Sequence, residues 1–253
     1  GLSFDPMAAS TFCVFNVSDK LFANLHFRRA FQLAIDREKI AEQTLHGTQV
    51  VPVGCIPPSL WEGKPPRTLA PFDPFEARKE FQKGCEEMGL NPDEIGPIHL
   101  HLRASYIDRI LSQILQWQWK EVLGVETIVH QSDTKTLKQQ LHQRQYQIAL
   151  TNWIAQYHDP LNILERFTSK TNPKNYPGWE DSEFTRLVEK AEQTMDEKTR
   201  RSLLMEAEQR LAEQAAVAPI YHWRIPSLRH LRVQNMHTTP SGGVLFEKVK
   251  LRD

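Results

Sequence analysis

Hydrophobic residues first settle into a helical rhythm after Asn24. Phe27, Ala30, Phe31 and Ala34 fall at i, i+3, i+4 and i+7, and Ile40, Ala41 and Leu45 prolong the stripe to a natural stop at Gly47. From Pro52 to Pro71 six prolines and two glycines interrupt any period. Ile56, Leu60 and Trp61 punctuate that stretch, which predicts a structured loop pinned by apolar side chains. Asp73-Pro74-Phe75-Glu76 then reads as a helix start. Asp73 can cap, Pro74 suits the first helical position, and Glu76 can reach back as a capping-box partner. This helix is expected to run to about Met88 and end at Gly89.

The period then alternates between 2 and 3.6. Ile98, Leu100 and Leu102 interleave with polar residues as in a half-buried strand. Ile107, Ile110, Leu111, Ile114, Leu115 and Val122 follow at helical spacing up to Gly124. Val125 to Val129 predicts a second strand, Thr134 to Arg144 a helix, and Tyr146 to Trp153 a third strand. Strands alternating with helices imply an α/β fold. After Asp159-Pro160 the chain becomes mainly helical, with one stripe in Phe184, Leu187, Val188, Ala191 and Met195. A second, in Leu203, Leu204, Ala207 and Leu211, follows the Asp196-Glu197 start. Pro219 to Trp223 reads as a strand, and the tail carries a Ser241-Gly242-Gly243 turn before Val244-Leu245-Phe246.

Composition narrows the function classes. Lys plus Arg and Asp plus Glu number 31 each in 253 residues, so there is no electrostatic reason to expect nucleic acid or an anionic membrane as partner. No stretch approaches the roughly 18 apolar residues of a membrane span. Cys13, Cys55 and Cys85 are scattered and form no CxxC pair, so zinc and thioredoxin-like spacings are absent. The first residues, Gly-Leu-Ser-Phe-Asp, lack both an initiator Met and signal-peptide regions. The chain is therefore expected to be a fragment of a longer protein.

Catalytic signatures are missing: no GxSxG elbow, no GxxxxGK[ST] loop, no GxGxxG fingerprint and no HExxH. His99 and His101 project to one face of their strand, but no carboxylate or Cys stands at a supporting spacing. A solvated strand face is the simpler reading, and no metal or cofactor is expected. Acid pairs such as Glu86-Glu87 and Glu206 with Glu208 read as exposed helix faces with local partners, for example Glu206 with Arg210. Of Trp117 and Trp119, at least one is expected in the core. Arg28-Arg29 and Arg200-Arg201 are flanked by acids or core residues and make poor nucleic-acid patches. One segment stands apart, Trp153-Ile154-Ala155-Gln156-Tyr157-His158-Asp159-Pro160-Leu161. It puts two aromatics and an acid on the loop leaving a strand end, where α/β folds tend to bind ligands. The competing reading is a Trp-anchored turn in which Asp159 caps the next helix.

At this segment the sequence resembles the peptide/nickel family of bacterial extracellular solute-binding proteins, which includes oligopeptide- and dipeptide-binding proteins. Phe27 to Arg37 (FRRAFQLAIDR) is similar to the family's VRQALSLAIDR helix, and the asparagine of Phe15-Asn16 precedes it. Ile56-Pro57-Pro58-Ser59-Leu60-Trp61 resembles its proline-rich loop, and Trp153 to Pro160 its W-x-A-D-Y-x-D-P turn. Arg200 to Leu211 resembles R-x-x-L-x-x-x-A-E-x-x-L, and Pro219-Ile220-Tyr221 resembles P-x-x-P-L-Y. The landmarks arrive in the family's order from about Phe12 to Phe246.

The resemblance implies a periplasmic-binding-protein-like α/β lobe with a mixed sheet flanked by helices, the C-terminal half of a two-lobed clamshell that closes on ligand by hinge motion. Residues 1–10 would be a connector, 11–232 the lobe, and 233–253 a tail returning towards an N-terminal lobe. It further implies a non-catalytic component of an ABC importer. Such a protein would be periplasmic or envelope-anchored as a lipoprotein, with a peptide or peptide-like ligand and a membrane permease as partners. The residues implied at the ligand are Asn152, Trp153, Ile154, Gln156, Tyr157 and Asp159. Backbone groups around Asn152 to Ile154 would pair with an extended ligand, and Trp153 and Tyr157 would supply apolar walls. Two positions depart from the family. Gln156 stands where peptide binders carry the acid that pairs with the ligand's α-ammonium, which removes a charge-assisted anchor; Leu150 stands where oligopeptide binders often carry a basic residue. Asp159 could substitute as the acid, or cap. The alternatives are a non-peptide ligand such as a metal chelate or haem, and a transport-inactive paralogue acting as an interaction module.

Overall fold

One long strand inside the main sheet shows no alternation at all. In the computed structural model, which describes residues 1–239 and 242–252, β1 (Leu2–Phe15) is buried at every position from Met7 onward. A strand covered on both faces reads as a continuous run rather than a period-2 pattern, and β1 was accordingly not foreseen as a strand. Ala8, Phe12 and Val14 enter one core cluster, and Cys13 and Phe15 the other.

Helix α1 (Leu25–Leu33) starts where expected, with Asn24 accepting from the His26 N–H. It does not continue to Leu45. The chain breaks into α2 (Arg37–Lys39) and a π turn over Ile40–Thr44. The buried Arg37 guanidinium takes the carbonyls of Gln32 and Ile35, which a continuing helix would need for itself. Gly47, in the left-handed region at φ 65°, closes the turn. The proline-rich loop is ordered as expected, with Ile56, Leu60 and Trp61 all buried.

Helix α3 (Pro74–Met88) has the expected ends, with Asp73 accepting from Phe75 and Glu76 N–H and Gly89 left-handed at its close. The capping box does not form. Asp73 N–H instead donates to the Leu33 carbonyl, and Glu76 pairs with Lys79. Strand β2 (Ile98–Arg103) leads to α4 (Tyr106–Leu123), in which Trp119 is buried and Trp117 half exposed. β3 (Thr127–Ser132) begins later than predicted, because Val125 drops into the core after Gly124 and the ladder extends to match Arg103 with Ser132. α5 (Thr134–Gln143) and β4 (Ile148–Ile154) complete this half.

The second half holds the short α6 (Leu161–Leu164), α7 (Ser182–Gln193), α8 (Glu197–Glu213) and β5 (Val217–Leu228). Met195, predicted in the α7 stripe, lies beyond its end and is 94% exposed. Arg210 does not pair with Glu206; it grips the α7 cap residue Asp181 at 2.6 and 2.7 Å and so ties α7 to α8. In the tail, β6 (Val233–Gln234) pairs with β9 (Lys250–Leu251), and β7 (His237–Thr238) with β8 (Val244–Leu245). Ser241 of the expected turn lies outside the described residues, and Gly242 is left-handed at φ 89°.

The main sheet has the order β3-β2-β4-β1-β5, with β2 parallel to β3 and β4, and β1 antiparallel to β4 and β5. Side chains of α1, α3 and α4 fill one face and those of α5, α7 and α8 the other. This is a mixed sheet flanked by helices, as expected. Leu2–Pro6 and Arg224–Leu228 continue past the sheet as a two-stranded ribbon.

Glu208 corrects a sequence expectation. Read as part of an exposed acidic face, it is fully buried, and its Oε1 accepts the Ile56 N–H at 2.8 Å, pinning the proline-rich loop. A Cβ on Gly54 would come within 2.5 Å of that oxygen, so glycine is what lets the loop approach. Burial pushes the Glu208 carboxyl up to about 8, against the pull of the Ile56 and Cys55 N–H groups. A folded-state value raised above the ordinary 4.5 means the protonated acid's contribution is fully present below that value and is lost as pH rises through about 8. Thermal melts between pH 4.5 and 8.5 should therefore show falling stability. Glu208→Gln, which keeps an acceptor for Ile56 N–H, should flatten the decline; an unchanged slope in the variant would assign it to another group.

Candidate functional site

The site builds outward from β4. Along this strand β1 pairs through Ile154, but β2 pairs only as far as Leu102 with Leu150. Beyond Leu150 one edge of β4 has no paired strand among the described residues. The Ala155 N–H donates to the Ala8 carbonyl, and successive peptide groups of a strand point to opposite sides. The N–H and C=O of Asn152 and Ile154 therefore face the unpaired side. The Asn152 side chain is partly exposed and that of Ile154 exposed.

Trp153 points the other way. Its ring is buried against Phe12 (centroids 3.8 Å apart) and Phe167 (5.3 Å), with the Arg166 guanidinium 5.1 Å from the ring centre. Its indole N–H has no hydrogen-bond partner among the described residues. Of the two expected apolar walls, then, Trp153 is part of the core, because strand alternation turns it inward. Tyr157 stands 44% exposed; burial of its remainder and the nearby Glu165 carboxylate raise its phenol above the usual range.

The turn after β4 is tightly held. Asn162 Oδ1 accepts the Gln156 N–H and also bonds Arg166. Asp159 accepts the Leu161 N–H, although the N-cap of α6 is Pro160 and not Asp159, and both its oxygens are gripped by Arg200 at 3.0 and 2.9 Å. Its charge is thus already answered within the protein. The Gln156 side chain is exposed, with Lys174 Nζ 3.5 Å from its Oε1. Beside the turn a cavity of about 370 Å³ is lined by Leu60, Trp61, His158, Asp159, Arg200 and Arg201. Three sequence landmarks converge here: the proline-rich loop, the turn, and the first turns of α8. Arg201 joins them by lying over the Trp61 ring, 5.4 Å from its centre, and donating to the Glu62 carbonyl. Nothing local in the sequence ties Arg200 and Lys174 to this site, since 41 and 18 residues separate them from the groups they meet.

The histidine face is larger than the sequence pair. His130 of β3 stacks on both His99 and His101, with ring centroids 5.0 and 4.7 Å away. Burial holds the His101 imidazole below its ordinary value, with the neighbouring imidazoles adding to this. Among the described residues no group of three or more His, Cys, Asp or Glu is arranged to hold a metal ion. No helix of the described residues is long and apolar enough to cross a membrane.

Comparison with known proteins gives this geometry its context. The profile of the bacterial extracellular solute-binding proteins, family 5 (middle region), matches residues 2–175. The oligopeptide-binding protein OppA of Bacillus subtilis (strain 168) is 29% identical over 248 residues, which is 97% of this chain and 46% of that protein. The dipeptide-binding protein DppE of the same organism is 26% identical over 90% of this chain and 42% of its own length. Among solved structures, HbpA2 from Haemophilus parasuis superposes with a TM-score of 0.85 at 20% identity, covering all of this chain and 50% of that one. The dipeptide-binding protein of Pseudoalteromonas sp. SM9913 in complex with Met-Leu gives 0.82 at 23% identity, again over all of this chain and 50% of that one. The two relatives from Bacillus and the one from Pseudoalteromonas are named as binding proteins, and the chain spans less than half the length of the two from Bacillus. With the profile matching well over half of its residues, the chain belongs to the family 5 bacterial extracellular solute-binding proteins.

Proposed function

We propose that this chain is the C-terminal lobe of a two-lobed binding protein that captures peptides in extended form and delivers them to an ABC importer. The observation that carries the reading is the unpaired edge of β4 at Asn152 and Ile154. An extended peptide laid there adds a strand, each backbone hydrogen bond contributing about 0.5–1.5 kcal/mol whatever the side chains. Such a site tolerates many sequences, as a general importer needs. Tyr157 supplies an apolar surface at one end, and the cavity beside the turn accepts a ligand side chain. The names of the peptide-binding relatives support the same ligand class.

Residues 1–10 and 233–253 join this lobe to the other. Leu2, Leu228, Leu231, Phe246 and Leu251 are all exposed on the ribbon and tail, apolar surface of the kind a second lobe would cover. The protein works outside the cytoplasmic membrane, in the periplasm or anchored to the envelope. Calorimetric titration of the full-length protein with a mixed tripeptide pool should give saturable binding. No heat from free or N-blocked pools would overturn the peptide reading.

A further inference from the structure

We infer that the turn after β4 selects a carboxylate, and not an ammonium, at the end of the ligand lying over it, with Lys174 as the residue that sets this preference. The inference rests on the peptide reading above and specifies the ligand's charge. A strand added along Asn152 and Ile154 runs out over Gln156, where β4 ends and the turn begins. What the ligand's end meets there follows from the charges around it.

Asp159 offers no unpaired charge to an incoming cation, because Arg200 holds both of its oxygens and Leu161 N–H takes one of them as well. Glu165 is engaged by the Tyr157 hydroxyl and has Arg166 beside it in the chain. Gln156 is neutral. Lys174 is exposed, its ammonium lies 3.5 Å from Gln156 Oε1, and it has no carboxylate within ion-pair distance among the described residues. Glu62 and Glu197 line the cavity beside the turn together with Lys198 and Arg201, so the charge next to Gln156 itself is the positive one of Lys174. A ligand ammonium would meet a like charge and an amide oxygen already facing one cation. A ligand carboxylate would meet the Lys174 ammonium, with the Gln156 amide able to donate as well. The Asn162 bond to the Gln156 backbone fixes the turn beforehand, so little ordering is required on binding. For a solvent-exposed pair the preference is worth about three- to fivefold in affinity and weakens with salt.

The carboxylate has two possible sources: the peptide's own C terminus, or an acid carried at its N-terminal end. The test titrates the full-length protein with one tripeptide in four forms: unmodified, N-acetylated, N-succinylated and C-amidated. If the C terminus lies at the turn, amidation weakens binding about three- to fivefold. If the N-terminal end lies there, the succinyl form binds more tightly than the acetyl form by a similar factor. In either case Lys174→Gln erases the difference and Lys174→Glu reverses it. Lys174 is exposed, so neither variant threatens the fold. The same ranking of the four forms in wild type and Lys174→Glu would overturn the inference and leave the peptide reading standing. Failure of all four to bind would remove the peptide reading, and the inference with it.

Discussion

Trp153→Ala should lower the unfolding free energy by about 3–5 kcal/mol, the usual cost of deleting a large buried aromatic. By position Trp153 belongs to the ligand segment, yet its ring is 7% exposed and wedged between Phe12 and Phe167. The loss should therefore show in urea denaturation without any ligand present. Trp153→Phe should recover most of it, because the indole N–H makes no protein hydrogen bond among the described residues and phenylalanine gives none up. A Trp153→Ala protein of unchanged stability that had lost ligand affinity would contradict the assignment of this ring to the core.

Arg37→Leu should be of similar size, about 3–5 kcal/mol, since each buried acceptor left unpaired costs about 1–3 kcal/mol. The guanidinium is 4% exposed and donates to Pro219, Ile35 and Gln32 carbonyls at 2.6, 3.2 and 3.2 Å. Removing it takes a donor from three buried carbonyls, of which that of Gln32 keeps a long bond from the Ile35 N–H, and unties β5 from the break between α1 and α2. Arg37→Lys should recover only part of the loss, since one ammonium on a flexible stem does not reproduce a planar fork aimed at three carbonyls. Denaturation midpoints of the two variants check this; a neutral Arg37→Leu would mean that the carbonyls find other donors.

The helices were legible because each buries one face. α3 and α4 begin and end close to where Asp73, Gly89 and Gly124 place them. What escaped has a common cause: it depends on partners distant in sequence. β1 is buried on both faces and so carries no period. Glu208 looks like any helix acid until Ile56 is brought to it from 152 residues away. The turn from Trp153 to Pro160 stands out in the sequence as a distinct segment, but the partners of its side chains do not. Whether Asp159 is a free acid depends on Arg200, and whether Trp153 faces ligand or core depends on the strand's orientation. The free edge of β4 is equally invisible in sequence, for it exists only because β2 stops pairing at Leu102.

The central claim is that an extended ligand pairs through its backbone with Asn152 and Ile154. The most direct test is an N-methyl scan: one tripeptide or tetrapeptide bound by the full-length protein, resynthesised with a methyl on each backbone nitrogen in turn. Because N–H groups of an added strand face β4 only at every second residue, affinity should fall sharply at alternate positions and change little between them. Losses that are uniform along the peptide, or absent, would contradict strand addition at this edge.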